Sequence, residues 1–399
     1  MTDFFSLSIE EHLKHHGKWA TVSKFPLETR EQLAIAYTPG VAGVANAIAR
    51  DPVRAYDLTM KGNSIAIVSD GSRVLGLGNI GPEAALPVME GKAILFKKFA
   101  NIDGVPIVLN THSIEGIIQT ILAIAPTFGG INLEDIAVPQ CFIIEESLQN
   151  IGIPVFHDDQ HGTAIAVYAA LLNACKVVGK PMTNLKVVLN GAGAAGTAIA
   201  RMLTGVSSNT SENPSVKNVY MCDTQGIVSR RRTDLQPYKQ DLLNFTNPDN
   251  QSGTLKDALR GADVFIGVSQ ANLLKANDIQ EMTSTRIIFA LSNPTPEISP
   301  EEAKAGGAVI IATGRSDYPN QVNNSLAFPG IFRGALDARA VRITDGMKFA
   351  AAKALASMVP EPTADCIIPD TLDPTVAQIV AQAVREQAIR EGVIRKSSR

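Results

Sequence analysis

Short β-branched runs alternate with helical stretches along most of this chain, and that alternation restricts the fold more than any other feature. Ser64 to Ser69 (SIAIVS) is apolar, bounded by Asn63 and by Asp70-Gly71, and reads as a buried strand. After the glycine-rich loop Gly71 to Gly81 come a helix around Glu90 to Phe99, a strand at Pro106 to Leu109 and a helix at Ser113 to Ala125 that stops at Pro126. A strand at Ile131 to Leu133, a helix at Pro139 to Gln149 and a strand at Ile153 to Phe156 follow. Parallel strands need such crossover helices, so the pattern predicts a parallel sheet. The Ala-rich helix Thr163 to Val178 leads to Gly179-Lys180-Pro181, a domain junction by its glycine and proline. A second series has strands at Lys186 to Leu189, Val216 to Met221, Asp263 to Val268, Arg286 to Leu291 and Ala308 to Ile311. The last eighty or so residues, with the Ala-rich Gly346 to Val359 among them, read as helices ending in a basic tail, Arg395 to Arg399. The chain is therefore an α/β protein of two domains, and its 399 residues suit that count.

Composition excludes several function classes. Hydrophobic residues are 45% and charged residues 19%, which permits large cores and argues against disorder. A net charge of -3 offers no basic field for a phosphate backbone, so no nucleic acid partner is expected. Four dispersed cysteines, Cys141, Cys175, Cys222 and Cys366, form neither a CxxC pair nor a disulfide framework and read as reduced, mostly buried thiols. The N-terminus lacks the apolar core of a secretory signal, and the most apolar segment, Ala164 to Cys175, is shorter than the roughly 20 residues a bilayer span needs. The expectation is a cytoplasmic protein with no membrane partner. Phe4 to Ala20 is amphipathic enough for a dimer arm.

Gly191-Ala192-Gly193-Ala194-Ala195-Gly196 is a GxGxxG between the strand Lys186 to Leu189 and the helix-like Thr197 to Leu203. In that context backbone N–H groups at a helix start can face a pyrophosphate, which predicts a Rossmann-like, doubly wound NAD(P)-binding domain with Gly191, Gly193, Ala194 and Gly196 in its phosphate turn. Asp223 ends the next strand and suits the adenosine ribose. The polar insert Ser207 to Ser215, a surface loop, accounts for its longer spacing. A carboxylate there favours NAD, whereas an arginine of Arg230-Arg231-Arg232 could compensate the 2′-phosphate of NADP.

Glu134-Asp135 and Asp158-Asp159 close successive strands of one βαβ unit, so four carboxylates can meet at the ligand-binding edge of the sheet. Oxygen-only donors suit Mg²⁺ or Mn²⁺, although acids at strand ends also serve as helix caps or exposed loop residues. His157 and His161 flank these acids and read as supporting or capping residues, not catalysts.

Phe156-His157-Asp158-Asp159-Gln160-His161-Gly162-Thr163 resembles the signature of the malic enzymes. Tyr37-Thr38-Pro39-Gly40-Val41, Arg73 to Gly81, Gly91-Lys92-Ala93, Ser292-Asn293-Pro294-Thr295 and Asn323-Asn324 before Phe328-Pro329-Gly330 agree with that family in order. The likeness runs from about residue 30 to 345, and the length matches the small-subunit bacterial type. It implies oxidative decarboxylation of L-malate to pyruvate and CO₂ with NAD or NADP and a divalent cation, in a homodimer. An oxaloacetate decarboxylase on the same scaffold is the alternative. The resemblance divides the chain into a substrate and metal domain, 1–160, and an NAD(P)-binding domain with C-terminal helices, 161–399. It assigns Glu134, Asp135 and Asp159 to the metal, Lys92 as base with Asp158 as its partner, and Tyr37 as general acid. Arg73, Asn293 and Asn324 would hold the substrate, and Asn293 would also touch the cofactor. Lys92 must be neutral to accept a proton, a state that burial and nearby cations favour.

Overall fold

The structure, a computed structural model, describes residues 3–74, 76–207 and 213–395. Leu75 in the glycine-rich loop, 208–212 in the polar insert and 396–399 in the basic tail lie outside the described residues.

Two parallel sheets form, as the alternation requires. Strands β1 (Ser64–Ser69), β2 (Asp103–Val108), β3 (Gly130–Leu133) and β4 (Val155–His157) pair in the order β2-β1-β3-β4, all parallel. The second sheet contains β5 (Lys186–Asn190), β6 (Asn218–Asp223), β7 (Gly226–Ile227), β8 (Val264–Gly267), β9 (Ile287–Ala290) and β10 (Ile310–Thr313). Its order is β10-β9-β8-β5-β6-β7, with only the short β7 antiparallel. Every residue of β1, β3, β8 and β9 is buried, which explains why these strands are continuous apolar runs. In each sheet the strand order reverses beside a central strand, β1 or β5, and such switch points open ligand crevices at the strands' C-terminal ends.

Two helices start earlier than their sequences suggest. One covers Pro82–Ala100 and runs through Pro87, with Pro82 at its start where a missing N–H costs nothing. The other is Asp158–Val178, so Asp158 and Asp159 lie in its first turn instead of closing the preceding strand. Its first turn is anchored by a side chain from another helix. The Glu145 carboxylate, on the helix Gln140–Leu148, accepts hydrogen bonds from the His157 N–H (3.0 Å) and the Gln160 amide (3.0 Å). This 21-residue helix is long and apolar enough to cross a membrane, yet 67% of its apolar window is buried inside the protein. It is the core helix between the sheets.

The largest apolar core is continuous across both sheets. The C-terminal helices Phe328–Asp337, Asp345–Ser357 and Val376–Arg390 pack on one another and turn back to the first half of the chain. Phe96 meets Phe328 and Phe332 at ring separations of 4.6 and 5.4 Å, and Phe156 meets Phe332 at 5.8 Å. By contrast, the helices Phe4–His15, Arg30–Ala36 and Gly40–Arg50 bury none of their residues.

Candidate active site

The acids predicted to meet do so around one lysine. Lys92 comes from the helix Pro82–Ala100, Glu134 follows β3, and Asp158 follows β4. The Lys92 ammonium lies 2.8 Å from Glu134 Oε1 and 2.5 Å from Asp158 Oδ2, and all three side chains are at most 8% exposed. The Phe328 ring covers its other side at 4.2 Å. Asn132 Nδ2 donates to Glu134 Oε2 at 2.8 Å. Asp135 adopts the left-handed conformation (φ 55°), which turns its N–H onto Asp159 Oδ2 at 2.8 Å. Its carbonyl accepts from the Arg73 N–H at 3.0 Å, which ties the arginine loop to the acids.

The electrostatics differ from the sequence expectation for Lys92. Burial alone would lower its pKa, but Asp158, Glu134 and Asp159 outweigh that and hold it above the ordinary lysine range. Burial pushes the carboxyls of Glu134, Asp158 and Asp159 up, with Lys92 opposing in each case. One ammonium does not balance so many acids. Asp158 Oδ1 and both ring nitrogens of His157 are buried without a hydrogen-bond partner. Burial lowers His157 to about 4, so its ring is neutral at neutral pH. Among the described residues, no three carboxylate, imidazole or thiol groups form a ready-made ion cage. The donor chemistry nevertheless fits a hard divalent cation, because Glu134, Asp135 and Asp159 offer only oxygens in a site with excess negative charge.

Asn324 packs beside the first turn of Asp158–Val178. A Cβ placed on Gly162 would fall 2.0 Å from Asp158 Oδ1 and 2.9 Å from the Asn324 Cβ, so only glycine admits both neighbours. Asn293 meets the arginine loop: its carbonyl oxygen lies 3.0 Å from where a side chain on Gly76 would begin. Tyr37 is placed elsewhere. It ends the exposed helix Arg30–Ala36, is 67% exposed, and has no side-chain contact to the acidic cluster among the described residues.

A cleft of about 740 Å³ runs from Arg73 past Gly191 and Gly193 to Asp223 and Lys239. Gly191 has φ 121° at the end of β5, and a Cβ on Gly196 would fall 1.7 Å from the Gly191 carbonyl oxygen, so turn and helix touch backbone to backbone. Gly193 opens the helix Ala194–Thr204, with Ala194 its first residue, and no atom lies within 4 Å of a Cβ built on it. That open face at a helix N-terminus can receive a pyrophosphate.

Two supporting acids escaped the sequence reading. Glu145 shares the buried face of its helix with Cys141, Ile144 and Leu148, and a charge on an apolar stripe is the signal that could have found it. His161 Nε2 lies 2.9 Å from its Oε2. Glu297, fully buried, accepts from the N–H groups of Ser269 (2.8 Å) and Ser292 (3.1 Å) and so joins two loops at the strand ends.

Comparison with known proteins gives the same answer from both halves. The family model for the malic enzyme N-terminal domain matches residues 16–149, and that for the malic enzyme NAD binding domain matches 160–389. The chain is 52% identical to the bifunctional malic/malolactic enzyme of Bacillus subtilis, covering 96% of this chain and 93% of that one. It is 54% identical to the NAD-dependent malic enzyme of Geobacillus stearothermophilus, covering 96% and 79%. The crystal structure of the NAD-dependent malic enzyme from Thermotoga maritima superposes with a TM-score of 0.90 at 49% identity, covering 95% and 98%. With a buried lysine among carboxylates, tied through Asp135 to the Arg73 that lines the cleft of the open glycine turn, and with both family models matched, the chain belongs to the malic enzyme family.

Proposed function

We propose that this chain oxidatively decarboxylates L-malate to pyruvate and CO₂, passing a hydride to NAD or NADP with Mg²⁺ or Mn²⁺ present. The observation that carries the proposal is the Lys92–Glu134–Asp158 cluster, linked through Asp135 to Arg73, which lines the same cleft as the glycine turn. The Bacillus subtilis and Geobacillus stearothermophilus relatives support it by their names.

Arg73 pairs with the C1 carboxylate of malate, and Asn293 and Asn324 add neutral hydrogen bonds. Glu134, Asp135 and Asp159 would hold the cation. When bound, a divalent cation supplies stabilisation of negative charge on the substrate oxygen and offsets the carboxylate field that keeps Lys92 protonated. Lys92 then accepts the C2 hydroxyl proton while the C2 hydride passes to the nicotinamide, and Asp158 orients the amine. In the resulting keto acid the C3–C4 bond breaks and its electron pair stays on the pyruvate enolate as CO₂ leaves. Tyr37, the general acid that the family resemblance implies, would return a proton to C3 once its exposed N-terminal helix is brought to the site.

The proposal includes the domain division at 160/161, supported by the boundary between the two matching family models. It also includes a homodimer. Phe4, Phe5, Ile9, Leu33 and Ile35 are each more than half exposed on helices that bury nothing, an apolar surface suited to a second copy. A reducing cytoplasmic setting is consistent with four free cysteines, three of them buried.

The test is product identity. Purified protein with L-malate, Mn²⁺ and each nicotinamide should yield reduced nicotinamide and pyruvate in equal amounts. Oxaloacetate consumption without a nicotinamide requirement, and with no malate oxidation, would move the assignment to the decarboxylase.

A further inference from the structure

The adenosine end of the cleft is not built as an ordinary ribose-reading carboxylate. Asp223 ends β6 with its side chain only 8% exposed, and donors already occupy both its oxygens. Oδ1 accepts from Arg232 Nη1 (2.7 Å) and the Gln225 N–H (2.9 Å); Oδ2 accepts from Lys239 Nζ (2.6 Å) and Arg232 Nη2 (3.2 Å). A carboxylate has about four lone-pair sites, so Asp223 has none left for the two ribose hydroxyls it would read in an NAD site. Arg232 does not line the cleft. It forms a two-pronged pair with Asp223 and is itself paired with Asp234. Lys239 does line the cleft, 21% exposed, beside Thr224, Gln225 and Lys256. Of its three N–H donors, one goes to Asp223.

Arg232 and Lys239 together offset Asp223 and Asp234, and the group of the four that offers unused donors to the cleft is the Lys239 ammonium. We infer that Lys239, held in place by the Asp223–Arg232 pair, is the binding site for a phosphate monoester on the 2′ carbon of the adenosine ribose, so that this chain takes NADP in preference to NAD. The depressed pKa of Asp223, which burial would raise but which Arg232 and Lys239 lower, agrees with a permanently ionised anchor. Lys256, ion-paired with Asp278 at 2.9 Å, is a second cation on the same wall. The Asp223 carboxylate, which by its place at the end of β6 would favour NAD, therefore acts as the lysine's mount.

This inference rests on the dinucleotide reading of the cleft, and its test does not need malate turnover. The full chain is titrated calorimetrically with adenosine 2′,5′-bisphosphate and with adenosine 5′-monophosphate. The bisphosphate should bind about tenfold tighter, and Lys239→Ala should remove most of that advantage. The NADP-to-NAD ratio of kcat/KM should fall by about the same factor. Should Lys239→Ala not fold, Lys239→Gln keeps a polar side chain only one atom shorter and removes the charge. In the unaltered protein, bisphosphate affinity should also fall more steeply with added salt than monophosphate affinity. Equal binding of the two nucleotides, or an advantage that survives both substitutions, overturns the inference. Failure of malate oxidation with the bisphosphate preference intact would reject the proposed reaction and leave this subsite standing. Absence of binding by either nucleotide would reject the dinucleotide cleft and the subsite together.

Discussion

Lys92 shows how one residue's chemistry depends on its neighbours. In isolation a buried lysine loses its proton easily, but Asp158 and Glu134 at contact distance reverse that. Replacing Lys92 with alanine removes the proposed base and leaves buried acids without their cation. Malate turnover should fall by about 10² to 10⁴-fold, and a denaturant titration should show a stability loss of about 3 kcal/mol. Glu145 permits a pH test. Burial would raise its carboxyl, but His161 and Lys348 bring it down to about 2 from an ordinary 4.5. A folded-state pKa below the unfolded one adds stability that is complete above the unfolded value and fades as pH falls toward the folded one. The stability difference between the unaltered protein and Glu145→Gln should therefore be constant near neutrality and shrink as pH drops from about 4.5 toward 2, as read by urea unfolding at each pH. Lys92, Glu134 and Asp158 were legible from their motifs. Glu145 was not, because its role rests on partners 12 to 16 positions away that only the fold brings close.

At the scale of elements, strand positions were legible almost to the residue where the chain is a bounded apolar run, as in β1, β3 and β5. Helix starts were not. Asp158–Val178 begins five residues before Thr163, and the Glu145 carboxylate that holds His157 and Gln160 at its start comes from another helix, which no local pattern reveals. The two-residue β7 has too little sequence to announce itself. The turn between β5 and the helix Ala194–Thr204 was fully legible, since its glycines are demanded by backbone contact. Gly196→Ala would force a Cβ against the Gly191 carbonyl and push turn and helix apart. Quenching of reduced-nicotinamide fluorescence should show affinity lower by about tenfold or more; unaltered affinity would mean that the turn does not seat the pyrophosphate.

For the whole molecule, the two-sheet plan followed from alternation, but the return of the C-terminal helices to the first sheet did not. Phe328 and Phe332 reach Phe96 and Phe156 across more than 170 residues, and aromatic contacts at that separation leave no trace in local periodicity. The N-terminal arm, amphipathic already in the sequence, belongs to this scale too. It carries Tyr37 and exposes apolar side chains that a second copy would cover. Specific activity should therefore fall on dilution in parallel with dissociation to monomers, as followed by light scattering; full activity in a stable monomer would contradict the dimer.

Removal of the C2 hydride and release of the C4 carboxyl of one malate should be strictly coupled. The most direct measurement uses L-malate labelled in that carboxyl, with Mn²⁺ and NADP, and compares labelled CO₂ with reduced nicotinamide over time. The two should appear in equal amounts throughout. Reduced nicotinamide without labelled CO₂ would show a plain 2-hydroxy acid dehydrogenase, and would contradict that coupling.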